Sequence, residues 1–297
     1  MSTAANPLHA PVRWPAEAIW QAVVPHLSGF TVEVLPQLDS TNSELMRRCR
    51  AASLEALSNA ALGRPEAPEA ILLVAEHQNA GRGRLGRQWQ SQAGASLTFS
   101  LGLPLKPANW SGLSLAVGVS LAESLEPANG KPPTLQLKWP NDLWLGQRKL
   151  GGILVETASW GDQRYVVIGV GLNVTLPEED FSPAVSSAFD DTQAPRPMAT
   201  TSLQALWPGV DAAWALQAVA APLVQAVLAF EREGFAPFRA RFAARDALAG
   251  RWVKLSDGTE GTACGVGAHG ALSLQTQSGL RDISSLEVSV RPADHVQ

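Results

Sequence analysis

The stretch that decides the fold covers residues 71–89 and reads ILLVAEHQNAGRGRLGRQW. Residues 71–76 are a short, mostly apolar run typical of a buried strand, and the following glycines match the G-x-G-x-x-G pattern of dinucleotide-binding loops. That pattern requires a helix directly after the loop, because the helix N-terminus holds the pyrophosphate. Residues 87–94 show no apolar helical period, and no acidic residue that could bind a ribose follows before Glu123. The sequence therefore argues against a Rossmann loop, and the lack of a closing Gly-Lys-Ser/Thr argues against a Walker A loop.

The same loop alternates glycine with arginine in a locally cationic part of the chain. Residues 77–122 contain no Asp or Glu, yet they include Arg82, Arg84, Arg87 and Lys106. The whole chain has a formal net charge of −4, so it has no basic footprint for nucleic acid. Arginine forks match phosphate or carboxylate oxygens, and glycines let the backbone approach a ligand closely. The loop predicts a compact anion site, although a solvated, flexible surface loop can have the same composition.

The hydrophobic pattern around this loop predicts an α/β (α+β) protein without internal repeats. Strands are predicted at residues 31–35, 71–76, 97–103, 135–139, 149–156 and 165–171. Helices are predicted at residues 16–26, 41–57, 111–125, 210–232 and 237–247. Thr41 to Glu44 has the form of a capping box, and Pro222 should kink or split its helix. Residues 177–197 are polar and Pro-rich, which predicts a long loop, and short strands with glycine turns after Arg251 predict a small β-barrel.

Length and composition limit the class of protein. At 297 residues the chain predicts one large domain, or a main domain with a small appendage. We find no run of about 20 apolar residues and no signal-peptide pattern, which disfavours a membrane protein. The two cysteines, Cys49 and Cys264, make neither a disulfide framework nor a zinc site, and they fit a reducing cytosol.

A second segment with candidate functional side chains is Lys138-Trp139-Pro140-Asn141-Asp142. It places a lysine at the end of an apolar strand, where burial would be costly without an anionic partner. Taken alone, the segment also fits a lysine that reaches into water and a simple Pro-Asn-Asp turn.

Five segments, taken in chain order, resemble a known family. They are Asp39-Ser40-Thr41-Asn42, residues 76–89, residues 138–142, residues 148–156 and residues 167–173. This series resembles the biotin–protein ligases of the BirA type, over roughly residues 31–290. The Gly-Arg loop and the Lys-Trp-Pro-Asn-Asp segment are its most specific parts.

The resemblance implies a fold and a reaction. It implies a catalytic domain at residues 31–248 related to class II aminoacyl-tRNA synthetases, an SH3-like C-terminal domain at residues 249–297, and an N-terminal extension at residues 1–30. The implied reaction uses ATP and Mg²⁺ to convert biotin into biotinyl-5′-AMP, which then biotinylates a lysine of a biotin carboxyl carrier protein. Adenylation is needed because a carboxylate is a poor electrophile without a good leaving group.

The resemblance also assigns roles to individual residues. The catalytic residues it implies are Lys138, Arg82, Arg84 and Asp142, and Asp142 is left between positioning the incoming lysine and holding Mg²⁺. The implied biotin contacts are Ser40, Thr41, Asn42, Gln78, Arg82, Gly83, Arg84, Lys138 and Gly152. The implied ATP contacts are Arg84, Arg87, Trp89, Asn141, Lys149 and Asn173, and no protein metal cluster is expected. Four of these residues have an ordinary alternative: Thr41 as a helix cap, Trp89 as core packing, Lys149 as a solvated hairpin lysine and Asn173 as a turn residue.

Some features depart from the family. Leu85 stands where some relatives carry another arginine, and residues 177–197 match poorly. Repressor members carry an N-terminal DNA-binding domain, whereas only about 30 residues precede the first predicted catalytic strand here, so DNA binding is not expected. The expected protein is a cytoplasmic monomer or weak homodimer with no membrane contact. Its rivals are a lipoate–protein ligase and a non-catalytic sensor of biotin or its adenylate.

Overall fold

The computed structural model describes residues 12–58, 68–127, 129–160, 163–176, 199–284 and 290–292. The helices are α1 (Ala16–Val23), α2 (Thr41–Ser58), α3 (Leu113–Leu125), α4 (Ala212–Glu233) and α5 (Ala236–Ala243). The larger sheet contains β1 (Thr31–Leu38), β2 (Ile71–Gln78), β5 (Ser96–Leu105), β6 (Leu135–Lys138), β7 (Asp142–Leu145), β8 (Arg148–Trp160) and β9 (Gln163–Asn173). A short hairpin is formed by β3 (Gly81–Arg82) and β4 (Gln88–Trp89). The smaller sheet contains β10 (Trp252–Leu255), β11 (Glu260–Val266), β12 (Leu272–Thr276), β13 (Gly279–Ile283) and β14 (Val290–Pro292).

The larger sheet is mixed, with the strand order β1-β2-β5-β9-β8-β7-β6. β1 and β2 are parallel, and α2 lies in the connection between them, as a parallel pair requires. The other neighbours are antiparallel. The sheet confirms the α/β (α+β) prediction at this coarse level.

The core lies between the larger sheet and the pair α3 and α4. α3 is mostly apolar and largely buried, because it contacts β6, β7 and β8 as well as α4 and α5. Within the described ranges α4 is long and apolar enough to span a membrane by length and composition, and 56% of its most apolar window is buried. The prediction that the chain has no apolar run of about 20 residues was therefore wrong for α4.

The start of α2 differs from the predicted capping box. The N–H groups of Ser43 and Glu44 donate to the Oγ and the carbonyl oxygen of Ser40, at 3.4 and 2.9 Å. The Glu44 carboxylate instead pairs with Arg47 and Arg48. The cap is therefore Ser40, and the prediction of Thr41 as the cap was wrong by one residue.

Three other predictions needed correction or fall outside the described chain. α4 runs unbroken through Pro222, so the helix is not split there. The predicted helix at 237–247 ends at Ala243, because residues 245–247 instead pair with the free edge of β6 through Leu137. The predicted loop at 177–197 lies outside the described residues.

The smaller sheet is antiparallel, with the order β13-β12-β11-β10-β14. Its predicted turns are present, since Gly258, Gly270 and Gly279 have positive φ values of 87°, 77° and 111°. The indole N–H of Trp139, a residue only 1% exposed, donates to the carbonyl oxygen of Gly270 at 3.0 Å. The segment after β6 is therefore bonded directly to the smaller sheet.

Candidate active site

A cluster of buried polar side chains lies where β1 and β2 end and α2 begins. Ser40, Thr41, Asn42 and Gln78 are between 3% and 7% exposed and all line one cavity. The backbone N–H of Thr41 donates to Gln78 Oε1 at 2.7 Å, which ties the helix start to the end of β2. Because parallel strands end at the same edge of a sheet, residues far apart in sequence meet here. We call these four residues the polar end of the cavity.

Ser100 on β5 and Gly169 on β9 support the polar end, and sequence reasoning missed both roles. Ser100 Oγ lies 2.6 Å from Thr41 Oγ1 and 2.6 Å from Asn42 Oδ1. Ser100 and Gly169 are partners across the two strands, and a Cβ on Gly169 would clash with Asn42 Oδ1. The alternation of small residues along β9 was the available signal for Gly169, whereas nothing in the sequence marked Ser100.

The Gly-Arg loop folds as a hairpin and does not lead into a helix. Gly81 pairs with Trp89, and a Cβ on Gly81 would clash with the Trp89 carbonyl oxygen. A 3-10 turn at Arg84–Gly86 lies between the two short strands, and Leu85 within it has a φ of 55°. The hairpin has no helix N-terminus to offer a pyrophosphate, which confirms that the Rossmann interpretation does not apply.

The arginines of this hairpin reach toward different partners. Arg82 is half exposed and pairs with Glu156, with 3.1 Å between Nη2 and Oε1. Arg84 donates from Nη1 to Asn141 Oδ1 at 3.2 Å, and burial lowers the pKa of its guanidinium below the ordinary value. Arg87 and Gly83 line the same cavity as the polar end. The loop therefore contributes three cationic side chains to the lining of the cavity, and anion binding there stays a prediction.

Lys138 is buried in the wall of the same cavity, in a part that contains Asp142 and Lys149 and that we call the cationic end. It is 5% exposed, and its Nζ lies 3.9 Å from Asp142 Oδ2 and 5.2 Å from the centre of the Trp144 ring. The other carboxylate oxygen of Asp142 accepts a bond from Lys149 Nζ at 2.7 Å. Burial is the main cause that lowers the pKa of Lys138 from 10.5 to about 8, and the Asp142 charge opposes it. A single carboxylate is thus shared by two lysines, which leaves the site short of negative charge.

The structure brings nearly all of the predicted site residues together. The residues that line this one cavity are Ser40, Thr41, Asn42, Gln78, Arg82, Gly83, Arg84, Arg87, Trp89, Lys138, Asn141, Asp142, Lys149 and Gly152. Asn173 is the exception: it lines a neighbouring cavity and donates from Nδ2 to the Thr201 carbonyl oxygen at 3.1 Å. Trp89 and Lys149 line both cavities, so the two spaces adjoin.

Nine of the residues that line this cavity were not predicted, and Leu85 and Val290 are two of them. Leu85 lies on the rim at 54% exposure, and Val290 brings β14 of the smaller sheet to the cavity wall. Among the described residues no group of three His, Cys, Asp or Glu side chains could hold a metal. The mixed sheet and this cavity define a protein that binds a small ligand with a neutral hydrogen-bonding end and an anionic end.

Comparison with known proteins narrows this class. The profile of the Biotin/lipoate A/B protein ligase family matches residues 48–173. The chain is 34% identical to the Bifunctional ligase/repressor BirA of Escherichia coli K12, over 92% of this chain and 78% of that protein. It is 29% identical to the Biotin--[acetyl-CoA-carboxylase] ligase of Paracoccus denitrificans, over 86% of this chain and 98% of that protein.

A solved structure agrees with the sequence comparison. The biotin protein ligase from Aquifex aeolicus in complex with biotin and ATP is similar with a TM-score of 0.65 and 28% identity, over 88% of this chain and 99% of that chain. The chain therefore belongs to the biotin–protein ligase family.

Proposed function

We propose that this protein is a biotin–[acetyl-CoA-carboxylase] ligase that uses ATP to form biotinyl-5′-AMP and transfers biotin to a lysine of a carrier protein. The observation that carries the proposal is the single cavity with two unlike ends. The polar end offers neutral donors and acceptors to a ureido ring, and Lys138, Arg84 and Lys149 offer positive charge to a carboxylate and a phosphate. The relatives named above are ligases of this kind.

In the first step a carboxylate oxygen of biotin attacks the α-phosphorus of ATP, and pyrophosphate leaves. The buried ammonium of Lys138 offsets the negative charge that develops on the phosphorus oxygens. Because Lys149 already holds one oxygen of Asp142, that carboxylate keeps both lysines in place rather than neutralising Lys138 fully. Arg82 and Arg84 approach from the hairpin, where they contact the acyl chain and the phosphate.

The nucleotide is placed by residues at the junction of the two cavities. Trp89 lies across β9, where a Cβ on Gly171 would clash with its ring. Its ring and Lys149 face both spaces, and Asn173 lines the second one. We assign the base and ribose to this junction, with Arg87 and Asn141 toward the phosphates.

Magnesium fits this site only as a companion of the phosphates. Asp142 is the one acidic residue among those that line the described cavity, and Mg²⁺ is commonly held by one or two carboxylates together with substrate phosphates. When bound it would supply charge neutralisation of the triphosphate, with Asp142 as its protein ligand.

In the second step the amine of a carrier lysine attacks the biotinyl carbonyl, and AMP leaves. The phosphate oxygen of the leaving AMP keeps the bonding electron pair, and the proton that the attacking amine loses passes to solvent. We propose a biotin carboxyl carrier protein as the acceptor. Ser40, Thr41, Asn42, Gln78 and Gly152 keep the biotin in place during this transfer.

The finer fold and setting are part of the proposal. We propose that residues 31–248 form a catalytic domain related to class II aminoacyl-tRNA synthetases, and that residues 249–297 form an SH3-like barrel. The five-stranded antiparallel sheet supports the second assignment. We further propose a cytoplasmic monomer or weak homodimer.

The test is the intact mass of an apo biotin carboxyl carrier domain after incubation with the protein, Mg-ATP and either biotin or lipoate. A biotin adduct that forms only with ATP is the expected result. A lipoyl adduct would keep the chemistry and overturn the substrate. Tight biotin binding without any adduct would favour the sensor instead.

A further inference from the structure

Ser100 is fully buried behind the polar end of the cavity, between Thr41 and Asn42. We propose that Ser100 is a positioning residue that fixes the proton directions of the polar end and so makes it selective for a cyclic urea. This inference rests on the proposed function and deepens it.

The amide of Asn42 has a fixed orientation. Its Nδ2 donates to the Leu154 carbonyl oxygen at 3.2 Å and to Glu156 Oε2 at 3.0 Å, which uses both of its protons. Its Oδ1 is therefore the atom that faces Ser100 Oγ at 2.6 Å. Gly169 leaves the space in which this oxygen lies.

Ser100 has one hydroxyl proton and two oxygens within 2.6 Å. An amide oxygen cannot donate, so the contact with Asn42 Oδ1 is a hydrogen bond only if Ser100 donates it. Across the other contact the donor must then be the hydroxyl of Thr41. The alternative, in which Ser100 donates to Thr41, leaves two acceptor oxygens facing each other in a buried place.

Thr41 consequently presents only lone pairs to the cavity. The other acceptor that the Thr41 hydroxyl reaches is Gln78 Oε1, but that contact is longer, at 3.2 Å, and this oxygen already accepts the Thr41 backbone N–H at 2.7 Å. That backbone bond also fixes the Gln78 amide, so its Nε2 is left as a donor. Ser40 Oγ accepts from the Ser43 N–H and retains its own proton to donate.

The polar end thus holds Thr41 Oγ1 as an oriented acceptor, together with donors on Gln78 and Ser40. A cyclic urea presents N–H donors on either side of a carbonyl acceptor, which is the complementary arrangement. Without Ser100, the Thr41 hydroxyl can turn its proton toward Gln78 Oε1 or toward the ligand, and the acceptor for the urea N–H is no longer held. Selectivity for that N–H is then lost even if the cavity keeps its shape.

The test compares Ser100→Ala with the wild-type full chain, using pyrophosphate release to measure kcat/KM. The substrates are biotin and the two cyclic carbamate analogues in which one ring N–H is replaced by O. We expect the wild type to prefer biotin over one analogue by about tenfold or more, as for loss of one buried hydrogen bond. In Ser100→Ala this preference should fall to about twofold, while KM for ATP stays unchanged.

Ser120→Ala is the matched control, because Ser120 is a buried serine of α3 that does not line the described cavity. It should keep the wild-type preference. If Ser100→Ala lowers activity toward all three substrates equally, Ser100 is only structural and the inference is overturned. If Ser100→Ala does not fold, Thr41→Val removes the same acceptor at equal size, and a preserved preference in that variant overturns the inference as well. Failure of the wild type to use biotin at all would instead defeat the proposed function.

Discussion

Two parts of the cavity wall, the polar end and the Gly-Arg hairpin, are built in different ways. At the polar end, residues from α2, β2 and β5 are buried and hydrogen-bonded to one another before any ligand arrives. At the hairpin, the Arg82 side chain is 48% exposed and Leu85 is 54% exposed. The preformed polar end loses little conformational entropy when a ligand binds. The exposed, glycine-rich hairpin must be ordered by the ligand and loses more. Recognition of the ring and enclosure of the phosphates are therefore separate tasks.

The largest expected effect comes from removing Lys138, the buried cation of the cationic end. Lys138→Ala should lower the rate of adenylate formation by about 100- to 1,000-fold, as for loss of one group that stabilises developing charge. Asp142 keeps Lys149 as its partner, so the fold should survive. Single-turnover formation of biotinyl-AMP measures the rate, and Lys106→Ala, outside the described cavity, is the control. An unchanged rate would remove Lys138 from the chemistry.

An added methyl group should have a larger effect at the rigid polar end than in the exposed hairpin. Gly169→Ala forces a Cβ onto Asn42 Oδ1, and overpacking a buried site costs about 1–3 kcal/mol, so KM for biotin should rise at least several-fold. Gly86→Ala meets no atom within 4 Å, and the strain of an alanine at its φ of 71° falls on the exposed hairpin rather than on the polar end. It should therefore affect KM for biotin less. Equal effects in steady-state kinetics would mean that the ends do not differ in rigidity.

The pH dependence should report the buried lysine. Because the pKa of Lys138 is lowered to about 8, its charge is present below that pH and is lost as the pH rises through it. The value of kcat/KM for biotin, which reports groups of the free enzyme, should fall by up to about tenfold per pH unit above pH 8. Lys138→Arg keeps its charge and should give a flat, lower profile. A profile for the wild type that stays level to pH 10 would contradict this assignment.

The smallest expected effect concerns the hairpin itself. Residues 79–88 should be cut by a protease several-fold more slowly with biotin and ATP than without them, because the ligand must order the glycines. Cleavage sites elsewhere in the same digest serve as the control. Equal cutting in both conditions would show that the hairpin is already ordered.

The sequence predicted the main elements because apolar periodicity is a local signal. The strands that became β1, β2, β5, β6, β8 and β9 were found, and all except β6 are longer than predicted. The Gly-Arg hairpin and Lys138 could be named because unusual residue types mark them. The roles assigned to these residues stay predictions.

The features that were missed depend on contacts across the fold. Ser100 is an ordinary strand serine until α2 brings Thr41 and Asn42 over it. The early end of α5 follows from pairing of residues 245–247 with Leu137, about 110 residues away in the chain. Neither contact has a local pattern that a sequence could show.

The bond between Trp139 and Gly270 limits how this protein can be recombined with its relatives. A chimera that takes the smaller sheet from another ligase inherits a foreign acceptor for the indole next to Lys138, and a foreign residue in place of Val290. The two sheets of this protein should therefore be exchanged together and not one at a time. If exchange of the smaller sheet alone changes which carrier protein is biotinylated, the cause can be a displaced Lys138 and not a new carrier contact.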